Sequence, residues 1–291
     1  MLYQLFTIVI PVFVCAAIGF FWARSGRHYD TEMITSLVSA IGVPTLVLST
    51  LLTVNVDISA LGKMAGITTG FLVIISVGGY ILLKFMGYSV RSYLPALVFP
   101  NTGNVGIPLS LFAFGAEGMA LAVAYFSVCI VFQFTVGVAI SSGSASPKSL
   151  LRVPTLWAVV LAVILISLGI KLPDWTMNTI KLLSGFTIPL MLITLGISLQ
   201  RLHVSTYGKT LLISLFRLVI GFVVSLALAE AMGLEGIMRG VLILQSTLPV
   251  AVFNYLFAQK YNTDPETVAG AVVLSTILSF ATMPLLLWFL L

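Results

Sequence analysis

Apolar residues run along this chain in blocks of about twenty, and polar residues are confined to short gaps between them. The blocks fall at about 3–23, 33–53, 65–86, 91–114, 119–141, 152–170, 177–200, 207–232, 237–258 and 267–290. A helix rises about 1.5 Å per residue, so roughly 20 residues cross the ~30 Å hydrocarbon core of a bilayer. The pattern predicts an all-α integral membrane protein of ten transmembrane helices. The one low-complexity stretch, Ser141-Ser142-Gly143-Ser144-Ala145-Ser146-Pro147-Lys148, lies at the midpoint, so that residues 142–151 form a short linker.

The two halves resemble each other. Ile41-Gly42-Val43-Pro44-Thr45-Leu46 matches Phe186-Thr187-Ile188-Pro189-Leu190-Met191 at an offset of 145. Pro11 matches Pro154 at 143, Lys63 matches Lys209 at 146, Arg91 matches Arg239 at 148 and Glu117 matches Glu266 at 149. The offset drifts smoothly, as it does in a true repeat. Residues 1–141 and 152–291 each hold five spans, an odd number, so the second half enters the membrane upside down. That is the inverted repeat of many secondary transporters.

Composition agrees with a bilayer as solvent. Of 291 residues, 59% are hydrophobic and 8% charged, with a mean hydropathy of +1.15. Soluble chains carry roughly 25% charged residues, so a water-exposed surface is excluded. The net charge of +5 does not indicate nucleic acid, because Lys and Arg are scattered singly and form no stripe. Cys15 and Cys129 sit inside apolar runs as small hydrophobes, and His28 and His203 lie in separate loops. No metal site and no cofactor are expected. The first run has no basic segment before it and no small-residue cleavage site before Trp22-Ala23-Arg24, so it reads as a first span.

Charge in the loops predicts orientation. Arg24, Arg27, Lys84, Arg91, Lys148, Arg152, Arg201, Lys209 and Lys260 fall on one side, and Lys63, Lys171, Lys181 and Arg239 on the other. The nine-residue side is expected to be cytoplasmic, in a plasma or inner membrane, with both termini extracytoplasmic.

The fourth run is chemically unlike the rest. Between Pro95 and Pro108 it holds three prolines, two glycines and the amides Asn101 and Asn104. Proline removes a backbone donor and clashes with the preceding turn. The helix is expected to break between Pro100 and Pro108, with Gly106 adding freedom, and to restart near Asn104–Pro108. The ninth run has a single proline, Pro249, preceded by Gln245, Ser246 and Thr247. Interrupted spans at corresponding places in two halves point to a transport site. The restarting half-helix offers free N–H groups and a positive dipole end, which suit a small anion. Asn101, Thr102, Gly103, Asn104, Ser246 and Thr247 are therefore the candidate substrate-binding residues. The competing reading is a proline kink whose asparagines bond across helices.

The run Pro100-Asn101-Thr102-Gly103-Asn104-Val105-Gly106-Ile107-Pro108-Leu109 resembles the Asn-x-Gly-Asn-x-Gly-x-Pro signature of the auxin efflux carrier family. That family includes plant PIN carriers and bacterial carriers assigned to malonate, malate and related carboxylates. Pro44, Pro189 and the tail Leu274-Ser275-Thr276-Ile277-Leu278-Ser279 resemble it as well. The resemblance implies a fold like the bile acid–sodium symporters, with spans four and nine crossing at the substrate site. It implies spans 1, 2, 6 and 7 as a scaffold and the others as a moving transport domain. The long cytoplasmic loop of many plant members is absent, and in this the chain looks like the compact bacterial branch.

Arg217 is the one basic residue well inside a span, and a charge there must face the bundle or a water cavity. It reads either as a counter-charge for an anion or as a donor to backbone carbonyls of a broken helix. The resemblance implies a basic residue near this place. Gln133 is an intramembrane amide that reads as packing glue.

No Asp or Glu lies centrally in any span, so the usual carboxylate relay or sodium ligand is missing. Backbone carbonyls of the broken helices could still hold sodium, and potential-driven uniport is equally open. The reading is a secondary transporter of small organic anions such as carboxylates, an exporter or facilitator. A sodium-coupled importer on the same fold and a membrane ligand sensor are the alternatives, and a homodimer is left open. An intramembrane enzyme would need an acid–base pair, an activated nucleophile or a metal cluster in the spans, and none is found.

Overall fold

The computed structural model describes residues 2–54, 57–144, 151, 153–204 and 207–291. Lys148, Arg152 and most of the 142–151 linker lie outside the described residues. Among the described residues helix occupies each of the ten apolar runs, and no strand forms.

The first half comprises α1 (Leu2–Arg24), α2 (Thr31–Leu37), α3 (Val43–Thr53), α4 (Ile58–Phe85), α5 (Val90–Val98), α6 (Ile107–Phe132) and α7 (Val138–Ser142). The second comprises α8 (Pro154–Ser167), α9 (Asp174–Gly185), α10 (Thr187–Arg201), α11 (Tyr207–Ala231), α12 (Gly236–Ser246), α13 (Val252–Tyr261) and α14 (Pro265–Leu290). Carboxylates and hydroxyls start several of these helices by accepting first-turn N–H bonds. Asp30 accepts from Met33 at 2.9 Å, Asp57 from Ser59 at 3.0 Å, Ser89 from Ser92 at 3.3 Å and Asp264 from Thr267 at 3.3 Å.

Seven stretches among the described residues are long and apolar enough to cross a membrane. The longest, Thr102–Ser142, has 41 residues. At about 1.5 Å each that is roughly twice the hydrocarbon thickness. It is interrupted at Gly115, whose φ of 66° and ψ of −158° lie outside the helical region. Only glycine takes that conformation without strain. α5, α12 and α13 have 9, 11 and 10 residues, each about half a membrane crossing.

Two prolines sit inside continuous rods through a shared device. π-helical turns at Val38–Gly42 and Thr102–Gly106 precede Val43-Pro44 and Ile107-Pro108. The N–H groups of Val43 and Ile107 bond five residues back, to Val38 and Thr102. That wider turn relieves the clash of a proline ring with the carbonyl four residues back. The chain therefore turns helical at Thr102 as a π-helical turn, and regular helix begins at Ile107, inside the Asn104–Pro108 stretch named from the sequence, with Pro108 absorbed into its first turn.

The helices pack in two groups. α1 lies along α10, and α3 packs on α8 and α9. α4, α5, α6, α7, α11, α12, α13 and α14 pack chiefly among themselves. Within the first group the α1 and α10 backbones nearly touch. A Cβ on Gly19 would lie 2.0 Å from the Ile193 carbonyl oxygen, and one on Gly196 would lie 1.8 Å from that of Ala16. Small residues allow such approach between membrane helices. The surface is apolar where a soluble protein's is polar: Phe6, Ile10, Val14 and Phe21 of α1 and Val77 and Ile81 of α4 are exposed. Gln133, Arg217 and Gln245 are buried instead. This inside-out distribution fits lipid as the surrounding solvent.

Candidate functional site

The breaks in the fourth and ninth runs meet. Phe99-Pro100-Asn101 follows α5, Thr247–Ala251 follows α12, and Pro100 and Val250 form an isolated antiparallel bridge. The Asn101 N–H donates to the Pro249 carbonyl at 2.8 Å, and the Ala251 N–H donates to the Phe99 carbonyl at 3.2 Å. Non-helical backbone at membrane depth must find partners inside the protein, and here each break partners the other. Proline fits because Pro100 has no N–H to satisfy.

Side chains complete the pairing. Asn254 donates through Nδ2 to the Phe99 carbonyl at 3.0 Å, and its Oδ1 accepts from Gln133 Nε2 at 3.1 Å. The Val250 N–H donates to Ser275 Oγ at 3.0 Å. Arg217, with no exposed surface, donates through Nε to Leu248 at 3.2 Å, through Nη1 to Leu97 at 2.6 Å and Val98 at 3.3 Å, and through Nη2 to Ser246, all backbone carbonyls. Of the two readings set out for Arg217, its geometry matches the donor to carbonyls of broken helices.

The residues singled out in the sequence divide by environment. Asn101, Thr102 and Gly103 are buried, and Asn104 is half-buried in the same turn. The Nδ2 of Asn101 is buried without an acceptor. A Cβ on Gly103 would lie 3.1 Å from the Phe126 ring and 3.3 Å from Met191, so this turn passes tightly between α6 and α10. Ser246 Oγ shares a 2.9 Å hydrogen bond with the Tyr125 hydroxyl. Thr247 is half-buried and donates back to the Ile243 carbonyl of its own helix at 2.7 Å. Gly106 is a contact glycine: a Cβ there would meet Gln245 Oε1 at 2.1 Å. Gln245 Nε2 in turn donates to Ser110 Oγ at 3.1 Å.

Asn254, Tyr125 and Ser275 escape sequence reasoning as members of this cluster. An amide three residues into a restarting helix was a usable signal for Asn254. Ser275 lies in the tail Leu274–Ser279 that resembles the family but carried no assigned role, and nothing in the pattern distinguishes Tyr125 from an ordinary core residue.

At the end of α5 remote from the crossing, the Tyr93 hydroxyl donates to the Asp264 carboxylate. Burial alone would raise the Asp264 pKa. The hydrogen bonds from Tyr93 and Thr267, with Lys209 nearby, outweigh it and hold the carboxyl below its ordinary range.

An all-helical body with an apolar exterior, and two broken helices paired inside it, has the character of an integral membrane transporter. The profile of the family described as membrane transport protein matches residues 139–288, which is more than half of the chain. The chain belongs to that family, in keeping with the likeness to auxin efflux carriers read from the fourth run. It is 25% identical to an uncharacterized transporter of Methanocaldococcus jannaschii over 98% of both chains. It is 26% identical to an uncharacterized transporter of Methanothermobacter thermautotrophicus over 95% of both. Auxin efflux carrier component 1 of Arabidopsis thaliana is 25% identical over 45% of this chain and 22% of its own length.

Proposed function

We propose that the chain is a secondary transporter that exports or facilitates small organic anions such as carboxylates, by alternating access around the crossing of spans four and nine. The observation that carries this reading is the Asn101 amide nitrogen, buried and lacking an acceptor. An unmet buried donor costs about 1–3 kcal/mol, and a carboxylate oxygen would supply what the protein does not. Thr102 and Asn104 lie in the same opening turn, which carries the positive dipole end, although the Thr102 N–H itself is taken by the Pro100 carbonyl at 2.8 Å. Ser246 and Thr247 contribute from the opposite break. Relatives named for efflux of auxin support export of an organic anion.

The ten spans, on this reading, form two inverted five-helix repeats, 1–141 and 152–291, joined by residues 142–151. Span four is α5 with the run from Thr102 to Gly115, and span nine is α12 with α13. The group built on α1, α3, α8, α9 and α10 serves as scaffold, and the other group moves against it. Both termini face outward from a plasma or inner membrane. A potential of 100 mV acts on each moved charge with about 2.3 kcal/mol. Efflux of labelled malonate or malate from proteoliposomes should therefore quicken when the interior is made negative. Saturable binding with no flux would instead identify a sensor.

A further inference from the structure

Four backbone carbonyls from the two broken spans converge on one cation. Leu97 and Val98 end α5, Ser246 ends α12, and Leu248 lies in the break beyond it. All four accept from the guanidinium of Arg217. The last carbonyls of a helix have no intrahelical partner, and each C-terminus carries about half a negative charge. Two such ends amount to about one unit. One guanidinium, which stays protonated in proteins, supplies one unit of the opposite sign. The ion pair found among the described residues joins Arg239 to Glu230 and does not involve Arg217. Arg217 is thus bound by carbonyls in the way an inorganic cation is.

Unwound carbonyls and half-helix C-terminal ends are the groups with which secondary transporters hold a coupling sodium ion. We propose that Arg217 is a tethered cation that permanently fills this carbonyl cage, so that the chain works without sodium bound at the crossing. Gly221, one turn along α11, makes the fit possible. A Cβ there would lie 2.2 Å from the Ser246 carbonyl oxygen and 3.1 Å from Arg217 Nη2, in the space the guanidinium needs to reach α12. With the two C-terminal ends neutralised, the N-terminal ends of the Thr102 run and α13 remain as the uncompensated partial charges, and both are positive. The crossing then stays receptive to an anion with no co-bound ion. Transport would respond to the membrane potential and not to a sodium gradient. That consequence for transport rests on the proposed carrier function, whereas the filling of the cage does not.

The test uses the purified full chain in detergent, with melting temperature measured in sodium chloride, potassium chloride and choline chloride at equal ionic strength. The wild-type protein should melt at the same temperature in all three. Arg217→Ala should melt lower in choline chloride and regain stability with sodium or with low-millimolar methylguanidinium, either of which can enter the vacated cage. Arg217→Lys, which keeps the charge with fewer donors, should fold and remain insensitive to sodium. The proposal is overturned by a saturable, sodium-specific gain in the wild-type protein or in Arg217→Lys. It is equally overturned by an Arg217→Ala protein that neither cation restores. Should Arg217→Ala not fold, the wild-type and Arg217→Lys titrations decide alone. None of these readings changes if malonate is not carried, so the two proposals fail separately.

Discussion

The backbone N–H of Asn101 reaches the Pro249 carbonyl across 2.8 Å, so the break in the first half of the chain is closed by the break in the second. The adjoining Asn101 amide nitrogen has no acceptor. Removing it by Asn101→Ala deletes no hydrogen bond made by that nitrogen, so melting temperature should change little. Ligand affinity should fall about five- to hundred-fold, from a loss of about 1–3 kcal/mol at 1.4 kcal/mol per decade. Asn104→Ala should also weaken binding. Titrating the same purified variants with labelled carboxylate, alongside melting curves, separates a ligand role from helix glue. Glue would lower stability and leave affinity intact.

Asn254 is the opposite case. Its side chain holds the Phe99 carbonyl and is held by Gln133. Asn254→Ala should cost about 1–3 kcal/mol of stability. A double-mutant cycle with Gln133→Ala should show coupling of about 0.5–3 kcal/mol, and purely additive losses would mean the two amides act independently.

Close approach between backbones predicts a contrast among glycines. Gly196→Ala would place a Cβ 1.8 Å from the Ala16 carbonyl oxygen, and Gly221→Ala one 2.2 Å from that of Ser246. Both should lower the melting temperature sharply. Gly78→Ala, whose Cβ would meet nothing within 4 Å, should be neutral or gain up to about 1 kcal/mol from helix propensity. Parallel melting curves check all three.

Asp264 predicts a pH dependence. Its folded pKa is lowered, so the stabilisation is present above the unfolded value of about 3.9 and is lost as pH falls through the folded value. Wild-type melting temperature should therefore drop between about pH 5 and pH 3 more steeply than that of Tyr93→Phe, which lacks the donor to the carboxylate. Identical slopes would show that the contact does not shift the titration.

Orientation is tested by fusing a reporter active only in the cytoplasm after Leu291. The loop charges predict silence, and activity would reverse the sidedness proposed for the site.

Much of the helical layout is legible in the sequence because a bilayer imposes one length on every apolar run, and proline chemistry marks where the fourth and ninth runs yield. Pro108 and Pro44 show the limit of that reading. Each looks like a breaker, yet a π-helical turn that no residue pattern announces carries both. The partners of the crossing are hidden for a different reason. Tyr125, Gln133, Asn254 and Ser275 come together only when distant segments dock, and the choice of Arg217 between a ligand and four carbonyls is fixed by tertiary geometry. The burial of the unpaired Asn101 amide is likewise a property of its neighbours, and it sets Asn101 apart from the half-buried Asn104 only once the fold is known.

The central claim, that the crossing carries small carboxylates through the membrane, is tested most directly by counterflow in proteoliposomes. Vesicles loaded with unlabelled malonate or malate and diluted into a trace of the labelled anion should accumulate label transiently with the wild-type protein. Accumulation should be strongly reduced with a folded Asn101→Ala protein. Absence of counterflow for these anions with the wild-type protein, or wild-type counterflow in Asn101→Ala, would contradict it.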